Sequence, residues 1–443
     1  MSDFIEEALR LSPQNAPAWL QDLHEKGRQS WKTRTFPTRK TEAWKYTNLR
    51  SLERGAYLGE PRFPEDHEVS ESTLRGQFEI AGLNATVLVF VNGHYSSALS
   101  SRETSLPEGV ELLRFSEASD RQTGQIKAHL GSVANREQHM FAALNDTWLT
   151  DGVFLHVAKN TRVDRPFQIV WLTMPQSEAF SLSQRMLMVM DEGSEASVVE
   201  HFVSDTAEQN NFTNGVTELV LGANTRLNHY RLHLEQENAL HIGGVHASLG
   251  RDSVLNSFHL AMGSTLKRVD VVVNHHGEGA ECELNGVYLP RHQQHVDYHT
   301  CIEHAVPHCT TSEVFRGIIG DRARAVFNGR IHIHPNAQKT LAELSNRNLL
   351  TSDKAEVDTK PELEIYADDV QCAHGATVAQ LDEESMFYLC SRGISRTEAE
   401  VMLSFGFINE LVEHLEHESI SNYLRPMLAD LFAQDQRLVR HIA

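Results

Sequence analysis

The chain has 443 residues, 40% of them hydrophobic, and a formal net charge of −20 at pH 7. That length allows one long repetitive domain or two to three ordinary ones, with enough apolar residues for a sizeable core. The acidic balance, unbroken by any basic block, argues against nucleic acid or an anionic membrane surface as partner.

The first residues, Met1–Pro13, carry acids where a secretory leader needs a basic start and an apolar run. Apolar runs such as Val87–Val91 are strand-length and too short to span a bilayer. Both features predict a cytoplasmic protein. Cys282, Cys301, Cys309, Cys372 and Cys390 form no C-x-x-C pair, which reads as free thiols in a reducing compartment.

Ala16–Ser30 spaces Trp19, Leu20 and Leu23 on one helical face, with Asp22 and Glu25 outside. A turn at Phe36-Pro37 leads into Lys40–Leu52, and Glu53–Gly76, with Pro61, Pro64 and Asp66, reads as linker. Residues 1–85 are therefore predicted as an N-terminal helical region and linker.

From Thr86 the pattern changes to short extended runs, which continue through Ala325–His334. One amphipathic helix, about Gln122–Trp148, interrupts them early. Gly, Asn and Asp turns separate the runs, as at Asn285-Gly286 and Asn328-Gly329. So long a series of strands without helices favours a β-solenoid over a pair of sandwiches, and no propeller signature is present. Residues 86–378 form this predicted β region. Helical segments at both termini would serve to cover the open ends of a solenoid.

Residues 379–443 return to helical periodicity. Asp382–Arg392 ends at Gly393, and Ser395 with Glu398 forms a capping box for the next helix. That helix carries Val401, Phe405, Ile408, Val412 and Leu415 on one stripe, with Met402, Leu403, Phe407 and Leu411 off it. The stripe fits the core of a small helical domain or a partner-docking face. In Ser419–Ala433, Pro426 predicts a kink or a restart.

Phosphate-binding signatures are absent: Gly317–Gly320 lacks the lysine of a P-loop, and Gly277–Gly279 lacks the third glycine of a dinucleotide loop. The chain is not expected to hydrolyse ATP. His332 and His334 share a strand face and, with Glu343, resemble the metal set of a cupin at the wrong glutamate spacing. Cys301, His304, His308 and Cys309 cluster, although adjacent His308 and Cys309 point apart if extended. Asp297, Asp358 and Asp368-Asp369 are the carboxylates a carbohydrate-active β-solenoid enzyme would use.

In Gln371–Thr377, alternation puts Cys372 and His374 on one face. A thiol and an imidazole there are two metal ligands, or a nucleophile with a base. Two ligands leave a four-coordinate site half built. A buried thiol beside a structural histidine is the plain alternative.

The run Ala355–Glu400 (AEVDTKPELEIYADDVQCAHGATVAQLDEESMFYLCSRGISRTEAE) closely resembles the C-terminal signature of the SufB/SufD family, subunits of the Suf iron–sulfur cluster assembly machinery. Phe141–Val157, Phe327–Ile365 and Thr41–Leu49 resemble other parts of the same family, whereas Met1–Arg39 and Gln434–Ala443 carry no matching motif. Gly-Ala-Thr after the histidine, and the lack of an N-terminal cysteine cluster, place the resemblance on the SufD side. It implies a right-handed parallel β-helix between helical termini, acting as a non-catalytic scaffold. It further implies a heterodimer with SufB through the β-helices and a SufC ATPase docked on the C-terminal helices. Val401, Phe405, Ile408, Leu411 and Val412 become candidate docking residues. His374, with Cys372 second, becomes a candidate ligand for iron or a nascent cluster at the SufB interface. A cysteine desulfurase as further partner and a homodimer of the chain alone are compatible with it, and flavin binding is left open.

Overall fold

Valine, isoleucine and aromatic runs such as Thr86–Val91 and Phe167–Thr173 become neighbouring parallel strands in the computed structural model. It describes residues 3–13, 15–55, 57, 59, 61–62, 70–101, 106–206, 210–235 and 238–432. Pro64, Asp66, Ala433 and Gln434–Ala443 lie outside the described residues. The chain is mainly β, 41% strand and 24% helix, and forms a solenoid of about seven turns with helices at both termini.

From Val153 onward successive strands go alternately to a nine-stranded and a ten-stranded sheet, each pairing in parallel within its own sheet. Thr310 lies opposite Leu341, and Leu341 opposite Gln371, so a coil takes about 30 residues. Inward side chains of both sheets interdigitate into one core containing Val198, Val271, Tyr298, Phe315 and Phe327. At one corner Gly193, Asn224, Asp252, Gly279, His308 and Lys339 all have positive φ. Each donates its N–H to a corner carbonyl of the following coil. Gly, Asn and Asp take this left-handed conformation at low cost, so the sequence marks four of these six corners.

The strand Leu240–Leu249 escapes a pattern reading because Gly243-Gly244 interrupts it. A Cβ at Gly243 would meet the Gly215 carbonyl oxygen at 1.9 Å, so close backbone approach demands the glycine.

The predicted helix Gln122–Trp148 is two helices, Asp120–His129 and Met140–Trp148. Glu218 breaks it: its buried carboxylate accepts the N–H groups of Gly131, Val133 and Ala134. Glu218 and Asp146 share buried Arg185, at 2.5 and 3.1 Å, which fixes the second helix to the sheet. The predicted linker holds a helix at Glu71–Phe78, capped by Ser70. Pro426 lies within one continuous helix, Glu418–Phe432. Ile420, Leu424 and Leu428 bury on both sides of it, which outweighs the lost bond.

The terminal helices do not cover the solenoid's ends; they lie on its faces. Phe4, Trp31, Phe141 and Trp148 pack on Phe212 and Leu240 of the nine-stranded sheet. Ile408, Val412, Ile420 and Leu424 pack on Tyr230, Leu260, Leu289 and Ile318 of the ten-stranded sheet. Among the described residues no helix is long and apolar enough to cross a membrane.

Candidate functional site at the open end of the solenoid

Two strands end the solenoid. Among the described residues Glu356–Ile365 pairs only with Arg324–Ile333, and Gln371–Gln380 only with Leu341–Leu350, so within them each keeps one free backbone edge. Nearly every residue of Gln371–Gln380 is exposed, whereas the coil before it is buried at alternate positions. Ile365, Tyr366 and Val378 are exposed apolar side chains at this end.

Cys372 lies opposite Ala342, and His374 opposite Leu344. Ala342 and Leu344 face the core, so Cys372 and His374 share the inward face, as alternation predicts. Cys372 is half-buried against the last core layer; burial pushes its thiol up, against a smaller opposing effect from the Ala342 backbone bond. His374 is exposed over the open end. Beneath this layer the interior turns polar: Asn346 accepts from Thr359 at 2.7 Å and from Asn348 at 2.7 Å. A Cβ at Gly375 would meet nothing within 4 Å, so this chain alone does not require glycine there.

Among the described residues, three groups of potential metal ligands form, and neither Cys372 nor His374 belongs to any. The pair remains half a coordination shell. Glu343 is not the partner of His332 and His334: it lies in the ten-stranded sheet opposite Ser312 and Ala373. Their carboxylate is Glu303, one coil earlier, which stacking of the coils sets opposite His332. Cys301, His304, His308 and Cys309 separate: Cys309 and His304 turn inward beside His275, Cys301 stays half-exposed, and His308 occupies a corner. Asp297 is locked by Arg268 at 3.0 Å and His299 at 3.0 Å, Asp358 by Arg324 at 2.6 Å, and Asp369 by Lys339. These acids do not form the paired carboxylates of a glycoside hydrolase.

The predicted docking stripe is largely internal. Val401, Ile408 and Val412 are buried, and Phe405 and Leu411 are half-buried against the same cluster. The exposed apolar side chains on these helices are Phe387, Tyr388 and Met402. Met402 lies off the apolar stripe, as its spacing predicts, whereas nothing in the periodicity singles out Phe387 and Tyr388, because it finds the buried side of a helix.

Two parallel sheets wound into a solenoid, with helices on both faces and a Cys-x-His pair on its last coil, place the chain in the class of helix-flanked β-solenoids. Residues 173–407 match the family described as "SUF system FeS cluster assembly, SufBD core domain", and residues 2–169 match the "SufBD protein N-terminal region". The chain belongs to the SufBD family, and the match reaches into the first forty residues, which carry no recognisable motif. It is 32% identical to the iron–sulfur cluster assembly protein SufD of Escherichia coli, over 94% of this chain and 92% of that one. An iron–sulfur cluster assembly SufBD family protein of Synechocystis is 27% identical, over 88% and 86%. SufD of Bacillus subtilis is 29% identical, over 65% and 66%. Membership of this family supports a role in iron–sulfur cluster assembly.

Proposed function

We propose that the chain is a non-catalytic scaffold that pairs with SufB through the open end of its solenoid. His374, with Cys372 second, meets a nascent iron–sulfur cluster or iron held between the two chains. The exposed strand Gln371–Gln380 carries this reading. A solenoid end with two free strand edges and exposed Ile365, Tyr366 and Val378 favours augmentation by strands of a similar partner. The open space over Gly375 leaves room for a partner's backbone. The half-built ligand pair then finds its remaining ligands on SufB. SufC, docked on the C-terminal helices, would supply ATP turnover.

The test uses the complex of this chain with its SufB and SufC. In it, His374→Ala should leave assembly intact while the maturation rate of an apo iron–sulfur protein falls about tenfold or more. Maturation at the unsubstituted rate would overturn the ligand role.

A further inference from the structure

Glu303, His332 and His334 stand on the outer face of the nine-stranded sheet, whereas His374 lies on the inward face of the other sheet. We propose that these three residues bind one divalent transition-metal cation of the Fe²⁺ or Zn²⁺ class, at a site independent of the open end.

Two features of the fold create the group. Alternation across buried Ile333 brings His332 and His334 to one side, and the coil repeat sets Glu303 directly beside His332. Glu303 Oε2 lies 2.8 Å from His332 Nδ1 and 2.9 Å from His334 Nε2. Ligand atoms of a tetrahedral site stand about 3.3 Å apart, so an opening of a few tenths of an ångström admits the ion.

His332 Nδ1 is also 3.2 Å from Arg330 Nη2, whose own acceptor is Glu364 at 3.0 Å. Without a cation, a proton on Nδ1 joins the ring to Glu303 Oε2; a cation between Nδ1 and Oε2 takes a lone pair from each and replaces that proton.

The surroundings suit a cation. Arg330 is occupied by Glu364 at 2.9 and 3.0 Å and by Glu303 Oε1 at 3.1 Å, which leaves Oε2 to the histidines. Two imidazoles and one carboxylate select Fe²⁺, Zn²⁺ or Co²⁺ over Mg²⁺ and Ca²⁺. His334, with its side chain 41% exposed, gives an entry path and an open coordination position.

Titration of the metal-stripped, tag-free full chain with Co²⁺ tests this. One equivalent should bind with visible d–d absorption, and Glu303→Gln or His332→Asn should weaken binding about 100-fold or more. His374→Ala should bind as the unsubstituted chain does, which separates this site from the end site. Absence of saturable binding, unchanged affinity in Glu303→Gln, or loss of binding in His374→Ala would each overturn the proposal. Because Glu303 also holds Arg330, His334→Gln at the exposed rim provides the same readout with the fold monitored by circular dichroism.

Discussion

Glu313 faces the interior between Leu284 and Leu344, with Oε1 accepting from Thr300 at 2.6 Å and Oε2 unpaired. Burial pushes its carboxyl up to about 7. A raised folded pKa means this stability is full below the unfolded value near 4.5 and is lost as pH rises through about 7. Glu313→Gln keeps the Thr300 bond without the buried charge. It should stabilise the chain by about 1–3 kcal/mol at pH 8 and little at pH 4. Melting temperatures at the two pH values check this; an equal shift at both would refute it. Single residues were the least legible scale. Cys372 and His374 could be paired from alternation, because two residues on one strand need no tertiary information. Glu303 could not be joined to His332, because their proximity exists only once one coil is stacked on the next.

Among the elements, the helix Arg396–Glu413 shows what local sequence can and cannot decide. Its start was legible because the Ser395–Glu398 capping box involves only neighbouring residues. Its apolar stripe was legible as a stripe, but not as to what covers it. The solenoid covers Ile408 and Val412, while Arg316 bonds the Phe407 carbonyl at 2.6 Å and clamps the helix to the sheet. If SufC docks on these helices, the exposed Phe387, 75% accessible, and Tyr388 are its apolar anchors. The double substitution Phe387→Ser with Tyr388→Ser should weaken SufC binding about tenfold or more by calorimetry, with the melting temperature unchanged. Undiminished binding would move the docking face elsewhere. Removing the whole segment from Asp382 would be a poorer test, because it strips the cover from Leu260, Leu289 and Ile318.

For the whole molecule, histidine is the main pH liability. Burial holds His201 down to about 3, and His295 and His304 down to about 4, and lowers His246, His259 and His275 as well. The unfolded chain takes up protons near 6.5 while the folded chain does not. Stability is therefore full above about 6.5 and falls as pH drops toward 4, by up to about 1.4 kcal/mol per pH unit for each such histidine. Glu313 and Asp146, both raised by burial, act in the opposite direction but are fewer than these histidines. Chemical denaturation at pH 7.5 and pH 5 should show a marked loss at the lower pH; equal midpoints would contradict the burial of these rings.

Local patterns were enough to specify the strand-rich middle, the helical termini, the start of the long C-terminal helix and the Cys372–His374 pair. Each rests on alternation, helical spacing or a cap, which act within a few residues. Long-range packing set the terminal helices on the sheet faces, split one helix in two at Glu218, and left the last coil open among the described residues. Those outcomes depend on side chains many residues apart meeting in space, and stacking of coils about 30 residues long brings them together.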